Sequence, residues 1–281
     1  MTGDGALVVV GTPLGNLGDL SPRAVEALAA AGVIACEDTR RTRALLSAAG
    51  VPGRRLLVVH DHNEAGRAAE VADLVASGAR VALVTDAGMP GVSDPGQRVV
   101  AAVAARGLAV EVVPGPSAVV TALVASGLPS DRFAFEGFLP RKGPQRRRRL
   151  AAVAAEPRTV VVYEAPHRVR DTVADLAAAC GGDRPAAIAR ELTKLHEEVW
   201  RGTLGGAVGH LADRPPRGEY VVVVGGAPAA PEASDAEIEE ALEGRMAAGD
   251  DRRAAVAGVA SDLDVAKRRV YELARHLGDR P

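Results

Sequence analysis

Short apolar runs alternate with helical patterns through the first 116 residues. The runs Ala6–Val10, Val33–Cys36, 56–59 and 81–84 are wholly apolar, as expected for strands buried on both faces of a parallel sheet, and a fifth strand is expected at Ala109–Val113. Helical patterns follow the first four, and the pattern after Ser21-Pro22 starts with a cap and a first-turn proline. This rhythm predicts a parallel sheet covered by helices on both sides. Beyond residue 117 the texture changes. Strands are expected at Phe133–Phe138, 158–163, 186–192, 197–203 and Tyr220–Val224, with a helix over 166–179. The 197–203 stretch is polar and interrupted, which suits an edge or antiparallel strand and predicts a mixed second sheet. After a Pro/Ala linker, Ser234-Asp235-Ala236-Glu237 is a capping box, and three helical patterns follow at 235–248, 251–260 and 264–277. The expected fold is α/β, with domains at 1–116 and 117–227 and a small helical tail at 234–281. The spacing of the last two helices fits a helix-turn-helix or a packing hairpin.

The loops between these elements are unusually long and rich in Gly and Pro. Thr85-Asp86-Ala87-Gly88-Met89-Pro90-Gly91-Val92-Ser93-Asp94-Pro95-Gly96 joins the end of the fourth strand to a helix, which is expected to start with Asp94 as cap and Pro95 in its first turn. Ligands of open α/β sheets bind at such carboxyl edges. Gly11-Thr12-Pro13-Leu14-Gly15 is a second loop of this kind. It lacks the Gly-x-Gly-x-x-Gly spacing of a dinucleotide site.

Composition narrows the classes. The 281 residues carry a net charge of −2, so basic surface must be local. Two cysteines read as buried thiols of a reducing compartment. No leader and no membrane span is expected. His60-Asp61-His62 with Glu64 has metal-ligand residue types, but the spacing at a strand tip favours a hydrogen-bonded polar tip, and no metal is expected. Arg141, Lys142 and Arg146 to Arg149 form the densest charge run, read either as a solvated helix start or as a phosphate-contacting patch. Glu164 and Glu191 lie at strand ends, where a carboxylate is well placed for catalysis or for ion pairing.

Taken in order, the blocks Gly11-Thr12-Pro13-Leu14-Gly15-Asn16-Leu17, Glu37-Asp38-Thr39-Arg40, His60-Asp61-His62-Asn63-Glu64, Thr85-Asp86-Ala87-Gly88, Ser93-Asp94-Pro95-Gly96, Pro114-Gly115-Pro116-Ser117, Glu136-Gly137-Phe138-Leu139-Pro140, Tyr163-Glu164-Ala165-Pro166-His167-Arg168 and Ala189-Arg190-Glu191-Leu192-Thr193-Lys194 resemble the RNA-acting branch of the tetrapyrrole-methylase-fold family. The resemblance implies S-adenosylmethionine-dependent 2′-O-methylation of a cytidine ribose in 16S rRNA of the 30S subunit, near the decoding centre, by a cytoplasmic homodimer. It implies a cofactor held by Pro13, Asp86, Ala87, Gly88, Asp94, Pro95, Ser117, Ala118, Glu164, Ala165 and Ala189. Met89 stands where Thr or Ser is more usual. Candidates for a base acting on the ribose hydroxyl are Glu164, Asp38, Asp61 and Glu191. RNA contacts are expected from Arg40, the Arg141 to Arg149 run, and Lys267 and Arg268 of the tail. A tetrapyrrole methyltransferase and a non-catalytic RNA-binding assembly factor are the rival readings.

Overall fold

The structure, a computed structural model, describes residues 5–212, 215–228 and 232–277. The chain divides into two compact units, Met1–Ala227 and Pro228–Pro281. The larger unit contains two five-stranded sheets.

The first sheet is parallel throughout, in the order β3-β2-β4-β1-β5, with β1 Ala6–Val10, β2 Val33–Cys36, β3 Arg55–Val58, β4 Arg80–Leu83 and β5 Ala109–Val113. Alternate residues of β1 serve opposite faces. Leu7 and Val9 pack with α3 (Glu64–Ala76) and α4 (Gln97–Ala105), while Ala6, Val8 and Val10 pack with α1 (Pro22–Ala30) and α2 (Thr39–Ala48). Burial on both sides is why β1, β2 and most of β4 read as unbroken apolar runs, whereas β5, at the sheet edge, is largely exposed and carries Glu111. Ser21 caps α1 by accepting from Ala24 N, as its sequence predicts.

The second sheet is mixed, in the order β6-β7-β10-β8-β9, with β6 Phe133–Phe138, β7 Thr159–Glu164, β8 Pro185–Arg190, β9 Glu198–Thr203 and β10 Tyr220–Val224. Only β6 and β7 run parallel; β10 pairs antiparallel with both β7 and β8, and β9 lies at the edge. Helices α6 (Gly143–Ala155), α7 (Val169–Cys180) and α8 (Leu204–Ala212) cover one face, and α5 (Ala118–Ser126) covers the other.

The smaller unit packs α9 (Asp235–Ala247), α10 (Arg252–Asp262) and α11 (Lys267–Leu277) around Ile238, Leu242, Val256, Val259 and Val270. The expected capping box at Ser234 and Glu237 is formed. The second of these helices, α10, runs past its expected end at 260, through Ser261 to Asp262.

One helix start differs from its sequence reading. α4 begins at Gln97 after Gly96, not at Pro95 after an Asp94 cap. Its first amides are capped from another helix: Glu64 Oε1 accepts from Gly96 N at 2.7 Å and from Arg98 N at 2.9 Å. A buried carboxylate thereby satisfies the open end of the helix and meets its positive pole, which leaves Asp94 free to face elsewhere.

Candidate active site

Three loops leave the carboxyl edge of the first sheet and are knitted together. Thr12 N donates to Gly88 O at 2.9 Å and Gly88 N to Thr12 O at 3.0 Å, bridging the loops after β1 and β4. The Thr12 hydroxyl adds a bond to Thr85 O at 3.2 Å. The loop after β5 closes on the first through backbone alone: a Cβ at Gly115 would lie 2.8 Å from the Gly11 Cα. Gly88 holds a φ of +83°, a conformation that L side chains seldom adopt.

These loops and the second sheet enclose a cleft of about 360 Å³. On the first sheet's side it is walled by Leu14, Glu37, Arg41 and the run Asp86 to Met89, then by Val92, Ser93 and Asp94. Ser117 and Ala118 open α5 beneath it. Opposite stand Phe138, Tyr163, Glu164, Ala165 and Pro166, with Leu192, Glu219 and Tyr220 beside them. Tyr163 packs edge-on against Phe135 and Phe138, with ring centroids 4.9 and 5.7 Å away.

The electrostatics of the two walls differ. Burial pushes the Asp94 carboxyl up to about 6, and the nearby Glu37, Asp86 and Asp61 charges push in the same direction. Glu37 is raised by burial and by Asp86. Asp86 is raised by burial too, against the opposing pull of Arg41, whose Nε lies 3.4 Å from Asp86 Oδ2. The cleft thus collects desolvated carboxylates, and a cation entering it would relieve their mutual repulsion. Across the cleft, burial first and the Asp94 charge second push the Tyr163 hydroxyl up to about 12, so it remains protonated.

Of the residues the sequence assigns to cofactor binding, Asp86, Ala87, Gly88, Asp94, Ser117, Ala118, Glu164 and Ala165 line this cleft. Pro13 faces a neighbouring cavity instead. Pro95 and Ala189 are buried behind the wall, Ala189 as a core residue of β8.

Of the four candidate bases, three are engaged by internal partners and the fourth lies outside the cleft lining. Glu164 has a fully buried side chain; Oε1 accepts from Ala165 N at 2.9 Å, and Oε2 accepts from the Thr172 hydroxyl at 2.6 Å and lies 3.3 Å from Arg168 Nη2. Asp38 caps α2, and hydrogen bonds from the Arg40 backbone hold its carboxyl below the usual range. Glu191 is partly buried, but its bonds from Lys194 Nζ at 2.8 Å and Glu219 N at 3.0 Å outweigh that burial and lower it. Asp61 is exposed and lies outside the cleft lining. His60 and His62 stand 6.0 Å apart beside it, and among the described residues no group of His, Cys, Asp or Glu could hold a metal.

The Arg run divides. Arg146 is a correction to its reading as an RNA contact. It is turned inward, with Nε 2.7 Å from Asp175 Oδ2, and donates to Pro140 O at 2.9 Å and to Thr172 Oγ1 at 3.1 Å. Arg149 lies 2.8 Å from Glu136. Arg141, Lys142, Arg147 and Arg148 remain exposed, as do Arg40, Lys267 and Arg268; Arg40 pairs loosely with Asp38 and Arg268 with Glu272.

Glu37, Arg41 and Tyr163 were not singled out by sequence reasoning. Each neighbours a residue that was, and which of two adjacent side chains turns into a cleft depends on the local twist of a strand tip for Glu37 and Tyr163 and on the phase of the first turn of α2 for Arg41.

The family model of tetrapyrrole (corrin/porphyrin) methylases matches residues 6–208. The ribosomal RNA small subunit methyltransferase I of Synechocystis sp. is 42% identical over 97% of this chain and 98% of its own length. That of Xylella fastidiosa (strain Temecula1) is 47% identical over 87% and 88%, and that of Mycobacterium bovis 48% over 84% of each. Among solved structures, uroporphyrin-III-C-methyltransferase from Thermus thermophilus superposes with a TM-score of 0.55 at 24% identity, over 79% of this chain and 94% of that one. Diphthine synthase does so with 0.57 at 16%, over 78% and 90%. Fold and sequence agree: the chain belongs to the tetrapyrrole-methylase family and, within it, to the ribosomal RNA small subunit methyltransferase I group.

Proposed function

We propose that the cleft binds S-adenosylmethionine and that the enzyme methylates the 2′-hydroxyl of a cytidine ribose in the RNA of the 30S subunit, near the decoding centre, as a cytoplasmic homodimer. One observation carries the reading: Asp94, Glu37 and Asp86 are gathered, partly desolvated, on one wall of the cleft, and among the described residues Arg41 is the only cation in the cleft lining. A sulfonium is a cation that such a wall would favour, and backbone around Gly88 leaves room for close approach. A solved relative of the same fold, the uroporphyrin-III C-methyltransferase from Thermus thermophilus, was crystallised with S-adenyl homocysteine. The curated relatives supply the substrate class through their names.

When bound, the cofactor supplies an electrophilic methyl group, so the protein's contribution is largely alignment of the acceptor. Asp94 is the carboxylate best suited to accept the ribose proton. It faces the cleft, no cation among the described residues pairs with it, and its pKa lies close to the working pH. Exposed Arg141, Lys142, Arg147 and Arg148 would hold phosphates near β6, and the helical unit would add Lys267 and Arg268.

Labelled S-adenosylmethionine offered with 30S subunits or with a porphyrin precursor tests this. Label is expected in the RNA, on a cytidine ribose. Label in the porphyrin alone, or in neither substrate, would overturn the assignment.

A further inference from the structure

A second cavity of about 290 Å³ opens beside the cleft, between the loop after β1 and helix α2. That is near the lower end of ligand-pocket sizes, roughly 300–1,000 Å³. Leu14, Leu17, Ala44 and Leu45 give it apolar faces. Leu14, Arg41 and Asp86 are common to both cavities; Arg41 and Asp86 are the polar part of the partition between them.

The hydroxyls in this wall are already engaged. Thr12 donates to Thr85 O, Thr42 to Asp38 O at 2.9 Å, and Thr85 to Glu37 Oε2 at 3.2 Å. The partition is not saturated. Asp86 accepts from Asp38 N at 3.2 Å and lies against Arg41 Nε, which leaves lone pairs on both oxygens. The Arg41 side chain is 64% exposed, and among the described residues Asp86 is its one side-chain partner, so most of its five donors are unused. An acceptor beside a fork of donors matches the edge of a base that carries an exocyclic amine next to a ring acceptor. Cytosine and adenine have such an edge; at the corresponding positions uracil and guanine present an oxygen and a ring N–H.

We infer that this side cavity seats the base of the acceptor nucleotide, turned out of its stack, and that Arg41 and Asp86 read its amine-bearing edge. The inference rests on the cleft being the methyl-donor site. A base held here places its ribose at the partition, facing the donor, and the apolar walls take the ring faces as in other enzymes that work on extruded bases.

Ala44 is exposed on α2 and lines only the side cavity, so Ala44→Phe fills it without entering the cleft. Leu17→Ala removes part of its outer wall, and Ser47→Phe places the same bulk on α2 outside both cavities. Calorimetry with S-adenosylhomocysteine should give all three variants affinities within about twofold of wild type. In methyl transfer to 30S subunits, Ala44→Phe should raise KM at least tenfold, Leu17→Ala severalfold, and Ser47→Phe not at all. A wild-type KM for Ala44→Phe overturns the inference while leaving the methyltransferase reading intact. Should Ala44→Phe also lose the cofactor analogue, Leu17→Ala decides, and an unchanged KM there overturns it. A wild-type enzyme that binds the analogue yet methylates no RNA overturns both.

Discussion

The two walls of the cleft treat charge in opposite ways. On the second sheet's side Glu164 is entirely buried, yet it is surrounded by the Ala165 amide, the Thr172 hydroxyl and Arg168; Thr172 in turn meets Arg146, which meets Asp175. On the first sheet's side Glu37, Asp86 and Asp94 are less buried but have one cation, Arg41, among them, and all three carboxyls are raised. Burial alone therefore does not mark a functional carboxylate. The deeper one is part of the framework, because its partners are internal. The shallower ones await a partner from outside.

The strongest way to break this contrast is to deny that partner its backbone approach. Gly88→Val puts a branched side chain at a φ of +83°, with its Cβ 3.4 Å from Leu14 and 3.6 Å from Pro116 O. Affinity for S-adenosylhomocysteine should fall more than a hundredfold in calorimetry, and unchanged affinity would remove this loop from the site.

Asp94→Asn sharpens it by setting stability against activity. Because the folded carboxyl titrates near 6 rather than 3.8, the folded state binds the extra proton between those values, and stability declines as pH rises through that window. The Asn variant avoids the decline. It should melt higher than wild type at pH 8, with the difference vanishing below about pH 4, while kcat drops by about 10²-fold for want of an acceptor. A variant that is less stable at pH 8 would show that the hydrogen bond Asp94 takes from Thr85 outweighs its desolvation and repulsion.

The smallest effects separate neighbours on α6. Arg146→Ala strips Asp175, Thr172 and Pro140 O of a shared donor and should destabilise by about 3 kcal/mol in urea unfolding. Arg147→Ala with Arg148→Ala should leave unfolding unchanged and lower the salt slope of 30S binding by about one to two units. Equal effects of the two changes on stability would erase the distinction between framework and surface charge.

How much of this was legible in the sequence depends on the range of the cause. Unbroken apolar runs such as Ala6–Val10 announce themselves because both faces of each strand are buried, a local consequence visible residue by residue. The loops at Gly11, Gly88 and Gly115 were legible as Gly/Pro clusters, although not the contacts they make with one another. The start of α4 was misread because its cap, Glu64, comes from 32 residues earlier, while Asp94 and Pro95 mimic a local cap. Arg146 was indistinguishable from Arg147 and Arg148 until Asp175 and Thr172 were placed beside it; a helix turns about 100° per residue, so four consecutive arginines cannot share one environment. Glu164 lines the cleft, but its saturation was not legible, since Thr172 lies in α7 and Arg168 at that helix's start.

The 85–96 loop is fastened at both ends, by the Thr12–Gly88 bridge at its start and by Glu64 at its finish, and Gly91 N donates to Pro95 O within it. A flap that folds over its ligand must surrender conformational entropy at the moment of binding, and that loss is subtracted from affinity. Here the ordering was completed when the chain folded. Association should therefore be governed by how fast the ligand reaches a mouth already shaped, with residence time set by contacts inside and not by a lid.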